Sequence, residues 1–160
     1  MEQFFTQNSQ IILRLAVAIG LGMIIGAERF LVHKEAGLKT HSLVSLGSAL
    51  FIIISEYLSV LYAEKAGYNP GIMASNIIVG IGFLGAGSII FSGTRLKGLT
   101  TAGGLWVTAG IGMAAGFGLF SLAIISTVLV LIILVVMNLI ERPLLKISND
   151  KLNDSDKIEI

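Results

Sequence analysis

Between Gly98 and Ile140 the chain runs for 43 residues without a single charged side chain. A helix that crosses a bilayer needs about 20 apolar residues. This one run therefore holds two spans, with a turn near Gly116-Phe117-Gly118. A water-soluble fold is excluded by the same arithmetic. Of 160 residues, 54% are apolar and 13% charged, about half the usual charged share of a soluble domain. A β-barrel is excluded as well, since runs such as Val128–Val136 do not alternate apolar and polar residues.

The other spans are shorter. Ala66–Thr94 is also uncharged and holds one span, about 72–91. Residues 42–61 are apolar except for Glu56, and 11–27 except for Arg14. The sequence thus predicts an all-α integral membrane bundle of five helices, at about 11–27, 42–61, 72–91, 99–117 and 119–140. Residues 1–147 form the membrane domain and 148–160 a short polar tail. Pro143 is expected to stop the last helix soon after the membrane. Residues 1–10 contain no Lys or Arg, so the first helix lacks the basic lead of a cleaved signal and is expected to be retained.

Basic residues orient the bundle. Arg29, Lys34, Lys39, Arg95, Lys97, Arg142, Lys146, Lys151 and Lys157 fall on one side, and Arg14 and Lys65 on the other. The N-terminus is then outside and the C-terminus cytoplasmic. The net charge of +1 is too small for a nucleic-acid binder that relies on phosphate neutralisation. With no cysteine there is no thiolate chemistry. No cofactor is expected. Gly80-Ile81-Gly82-Phe83-Leu84-Gly85 spells the dinucleotide pattern, but that pattern works only as a strand-to-helix turn, and here it sits within a span.

The glycines point to packing. Ala18, Gly22 and Gly26 are four apart on the first helix, as are Gly110, Ala114 and Gly118 on the fourth. With Gly80, Gly82, Gly85 and Gly87 they are expected to form small-residue faces that let helix backbones approach within lipid. Such faces serve either the interior of one bundle or a homodimer seam.

Polar residues collect in two layers. Arg14, Glu56 and Asn76 lie roughly 5–8 Å inside the outer ends of their helices at 1.5 Å per residue. Ionisable side chains at such depth usually face inward and pair. Arg14 and Glu56 are expected to form an ion pair across the first hairpin, with Asn76 bonded to it; the alternative is a carboxylate that binds or relays a cation. The second layer is cytoplasmic: Glu28, Arg29, Lys39, Thr40, His41, Arg95, Lys97, Thr100 and Thr101. Thr100 and Thr101 suit capping of a helix start, and the basic residues around it suit a small anion; orientation of the chain alone would also explain the basic residues. His33 and His41 are too few to define a metal site.

These residues carry a resemblance. Gly26-Ala27-Glu28-Arg29, Ala36-Gly37-Leu38-Lys39-Thr40-His41, Val79-Gly80-Ile81-Gly82-Phe83-Leu84-Gly85-Ala86-Gly87 and Lys97-Gly98-Leu99-Thr100-Thr101-Ala102 with Leu105-Trp106 resemble the MgtC/SapB family of membrane proteins. The blocks occur in the family's order over about residues 10–140. The resemblance implies a five-span bacterial inner-membrane protein. It also implies a regulatory role linked to magnesium homeostasis and membrane energetics, acting on a complex such as the F-type ATP synthase. Ser92, Thr100 and Val107 stand where the branch containing MgtC has an acidic residue, Asn and Cys. The larger C-terminal domain of that branch has no counterpart here, so the chain looks like the shorter SapB-like branch. Lys39 stands where the commoner motif has Arg, keeping the charge and losing the bidentate fork. A small magnesium or proton transporter using Glu56 is the competing expectation; an enzyme is not expected.

Overall fold

A computed structural model describes residues 2–62, 69–93 and 95–155, with side chains for 8–62, 69, 71–93 and 96–140. Five helices carry the fold: α1 (Glu2–Leu31), α2 (Leu38–Leu61), α3 (Pro70–Gly87), α4 (Leu99–Gly116) and α5 (Phe120–Ser155). Three of them hold stretches long and apolar enough to cross a membrane: Asn8–Leu31, Leu38–Leu61 and Phe120–Ile140. The apolar part of α3, Gly71–Gly87, is shorter. At 18 residues each, α3 and α4 rise ~27 Å, close to the ~30 Å of a hydrocarbon core.

The helix ends have local causes. α3 begins at Pro70, whose missing N–H costs nothing in a first turn, and the Asn69 side chain accepts a hydrogen bond from the Gly71 amide at 2.8 Å. It ends at Gly87, four residues before the expected boundary at 91. Ile90–Ser92 (β1) instead pairs antiparallel with Arg95–Lys97 (β2), Phe91 opposite Leu96. Gly93, at φ 64°, supplies the left-handed backbone that a tight hairpin needs. The connection read from sequence as a plain loop at 92–98 is therefore a small β-hairpin.

α5 corrects a second expectation. It passes through Pro143 and continues to Ser155, so most of the tail from 148 is helical. A proline removes one backbone donor, and the Leu144-Leu145-Lys146 that follows favours continuation.

α2 lies between α1 and α4 and touches both closely, while α3 rests on α4 and α2, and α5 on α4 and α1. Small residues make the central contacts. A Cβ on Gly22 would fall 2.7 Å from the His41 carbonyl oxygen, and one on Gly26 would fall 2.6 Å from the Leu38 Cα. On α4 the corresponding positions are Gly112, 2.2 Å from the Ser45 carbonyl oxygen, and Gly116, 2.8 Å from that of Ala49. Around them Ala18, Ile25, Ala49, Ile111, Ala114 and Ala115 form the buried core.

The expected packing face of α4 is accordingly shifted by two residues. Ala114 is buried, but a Cβ on Gly110 would meet nothing within 4 Å. Gly118 lies past the helix end at φ 74°. Gly80, Gly82 and Gly87 of α3 also face open space, and Gly85 makes only an ordinary contact with Ala102 at 3.6 Å. α4 carries several four-residue ladders of small side chains, and spacing alone does not say which one a neighbour occupies.

Candidate polar sites in the bundle

The first of the two expected polar layers holds an ion pair between α1 and α2. Arg14 Nη1 donates to Glu56 Oε2 at 2.5 Å and to the Gly116 carbonyl oxygen at 2.9 Å. Gly116 is the last residue of α4, where carbonyls lack intrahelical partners and a cation is favoured by the helix dipole. Arg14 thus ties α1 to both α2 and α4. Gly118 follows in a left-handed turn whose missing side chain leaves room for the guanidinium, since a Cβ there would lie 3.3 Å from Nε.

Asn76 does not join this pair. It is exposed, on the wall of a cleft of about 430 Å³ between α2 and α3 whose other walls are mostly apolar, with Leu43, Phe51, Met73 and Ile77 among them. Equal depth put the three residues in one layer, but depth carries no rotation about the helix axis. The second acceptor of Arg14 is a backbone carbonyl, which composition does not advertise.

The inner layer divides into a buried part and a surface part. Arg29 is 1% exposed, and its Nε donates to Glu28 Oε2. Glu28 Oε1 accepts from Asn138 Nδ2 at 3.0 Å, which fastens α5 to α1. His41 is fully buried; its Nδ1 lies 2.8 Å from Thr108 Oγ1, which donates in turn to the Gly104 carbonyl at 2.8 Å. A Cβ on Gly104 would touch the His41 ring at 3.4 Å, so the helix is bare where the imidazole rests. Thr101 is buried nearby on α4.

Lys39, Thr40, Lys97 and Thr100 are exposed, and the Arg95 side chain lies outside the described residues. The expected capping by Thr100 and Thr101 is not made: Gly98 caps α4, at φ 91° and without a side-chain bond. A Cβ there would also lie 1.9 Å from the Ser88 carbonyl oxygen. Among the described residues no group of three His, Asp or Glu side chains converges on a metal-sized space.

Thr108, Asn138 and Ser45 belong to the polar interior and escaped the sequence reading. Asn138 had a signal, being the one amide side chain in the apolar part of α5. Thr108 had none beyond its position four residues from Gly104 and Gly112.

The buried Arg29, His41 and Thr101 fall in the blocks Gly26–Arg29, Ala36–His41 and Lys97–Thr101. A family model described as the MgtC family matches residues 15–143. The chain belongs to this family. It is 42% identical over 129 residues to YhiD of Escherichia coli K12, whose name provisionally calls it a magnesium transporter, covering 79% of this chain and 60% of that protein. It is 43% identical over 120 residues to protein MgtC of Salmonella typhimurium, covering 75% of this chain and 49% of that protein. An uncharacterised Synechocystis protein is 40% identical over 148 residues, 92% of this chain and 59% of the relative. The chain thus spans about half to three-fifths of the length of the relatives it matches. No solved structure matches it.

Proposed function

We propose that this MgtC-family protein is a non-enzymatic regulator in the bacterial inner membrane. All five helices cross the bilayer, with the N-terminus outside and the C-terminus in the cytoplasm. It acts in magnesium homeostasis and membrane energetics by contacting another membrane complex, the F-type ATP synthase being the one the family resemblance implies. One observation carries the reading. The two carboxylates on the described parts of α1 and α2 are already committed, Glu56 to Arg14 and Glu28 to Arg29 and Asn138. The interface among α1, α2 and α4 is closed by backbone contact at Gly22, Gly112 and Gly116. A hydrated magnesium ion needs oxygen ligands and keeps several of its waters, and neither free carboxylate nor room is offered there. The outward surface, by contrast, is broad and apolar, with Val79, Phe83 and Phe91 among its most exposed side chains, which suits lipid and a partner's helices.

The name carried by YhiD favours a second reading, a small cation transporter coupled through Glu56. Flux separates the two. Wild-type protein and Glu56→Gln are placed in proteoliposomes with magnesium and proton indicators under an imposed potential. No flux above protein-free vesicles is expected from either. A magnesium or proton flux in wild type that Glu56→Gln abolishes, with both proteins folded, makes this chain a transporter. Growth in low magnesium then tests the regulatory surface. Lys39→Ala and Lys97→Ala, both exposed, are expected to fold normally and lose complementation; normal growth of both counts against a role for the cytoplasmic face.

A further inference from the structure

The cleft between α2 and α3 carries two polar side chains in an otherwise apolar lining, Ser48 on the α2 wall and Asn76 on the α3 wall. Ser48 is 5% exposed. Neither side chain has a hydrogen-bond partner among the described residues. For Ser48 this is unusual. Hydroxyls inside helices commonly bond back to a carbonyl three or four residues earlier, and in this bundle Ser75, Thr108 and Thr127 do so. Ser48 does not, and its hydroxyl is left to the cleft.

The shape of the cleft comes from missing side chains. Gly47 and Gly80 line it, and a Cβ on either would meet nothing within 4 Å. Phe51 from α2 and Met73 and Leu84 from α3 add apolar wall. The space of about 430 Å³ falls within the ~300–1,000 Å³ of small-molecule sites, which combine apolar walls with a few placed polar groups.

Depth narrows the occupant. α2 is long and apolar enough to cross a membrane, and Ser48 sits near the middle of its 24 residues. An unpaired hydroxyl or amide there costs free energy that a hydrogen-bond acceptor recovers. An acyl chain has no acceptor, and the ester carbonyls of a phospholipid stay at the interface, ~15 Å from the middle of a ~30 Å core. A neighbouring helix spends its backbone carbonyls on itself. No charged side chain is among the lining residues, so an ionic ligand would be left unpaired.

We infer that the α2–α3 cleft is a binding site for an uncharged, membrane-soluble carbonyl compound of the quinone class. A quinone ring has flat apolar faces and a carbonyl at each of two opposite edges. One carbonyl accepts from Ser48 Oγ on α2 and the other from Asn76 Nδ2 on α3, with the ring over Gly47 and Gly80. A carbonyl also brings no proton of its own for the apolar walls to leave unpaired. The site is one of binding, without electron transfer. It is independent of the regulatory reading above, because magnesium or proton flux through the protein would leave the same two donors to satisfy.

The test is infrared spectroscopy of decylubiquinone, carbon-13 labelled at its carbonyls, titrated into phospholipid nanodiscs with and without the protein. Saturable binding is expected, with the carbonyl bands moved to lower frequency than in protein-free discs. Ser48→Ala and Asn76→Leu should each return one band to its free position and weaken binding roughly 2- to 10-fold, the range of one neutral hydrogen bond. Gly80→Leu should fill the cleft and abolish binding. Melting checks that each variant is folded. If Gly80→Leu is not, the two donor variants decide, since one loses a single oxygen and the other is exposed. Unshifted bands, or no saturation, would overturn the site, including the case where the protein runs as a dimer whose second copy fills the cleft. Binding lost in Gly80→Leu but unchanged in both donor variants would make the cleft a seat for an acyl chain and overturn the assignment equally.

Discussion

α2 and α3 meet α4 on surfaces rich in glycine, yet the two contacts differ in kind. On the α2 side, Gly112 and Gly116 hold the α2 backbone so close that no Cβ fits, and Gly22 and Gly26 do the same from α1. On the α3 side, Gly85 meets Ala102 at ordinary distance, and Gly80, Gly82 and Gly87 meet nothing. One residue type therefore has two uses here. Within lipid, where apolar burial gives no drive between helices, close backbone approach supplies the attraction, and α1–α2–α4 exploits it. The open glycines of α3 leave a helix that is loosely held and widely exposed.

The comparison breaks first, and most severely, at α4. Gly112→Val must displace the Ser45 backbone, which a Cβ would approach at 2.2 Å. The cost is expected at or above the top of the ~1–3 kcal/mol typical of overpacking, seen as loss of monodisperse protein after extraction. Gly98→Ala should be nearly as damaging, for its Cβ would strike the Ser88 carbonyl from a left-handed backbone. Well-folded Gly112→Val with wild-type melting would mean that α2 and α4 do not pack as described.

A smaller effect is expected at the Arg14 end of the same three helices. Arg14→Gln removes the ion pair and the bond to Gly116. The Arg14 and Glu56 side chains are 25% and 39% exposed, so the loss is discounted to on the order of 1 kcal/mol. Thermal melting in detergent should fall by a few degrees for Arg14→Gln and for Glu56→Gln. The double variant should lose less than the sum, because neither partner is then left alone. Full additivity would show that the two side chains do not interact.

The sequence was most legible where one dimension suffices. Uncharged runs locate helices, and Arg14 with Glu56 pair as their depth predicts. What depth cannot carry is rotation about a helix axis, and three revisions come from that gap. Asn76 turns into the α2–α3 cleft instead of joining Arg14, the working face of α4 is Gly112–Gly116 instead of Gly110–Gly118, and Thr108 faces His41. The hairpin at 90–97 is a different case. Ile90 and Phe91 are as apolar as the span they follow, and only Gly93 and the pairing across it turn them into a strand.

The smallest stability effect is expected on α3, and there it is the most informative. Gly80→Ala and Gly82→Ala add a methyl group to space with no neighbour within 4 Å. Alanine restricts the unfolded chain more than glycine, so stability should be unchanged or raised by ~0.4–1 kcal/mol. Melting temperature and growth in low magnesium are measured on the same variants. If the α3 glycines only face lipid, both remain at wild-type values. If they seat the helix of a partner complex or of a second copy, growth falls while melting holds. Crosslinking from Phe83, 81% exposed on the same helix, then tells a second copy from another protein by the mass of the product. A fall in both would instead place a close neighbour against α3 within the chain, and the contrast between the two sides of α4 would be lost.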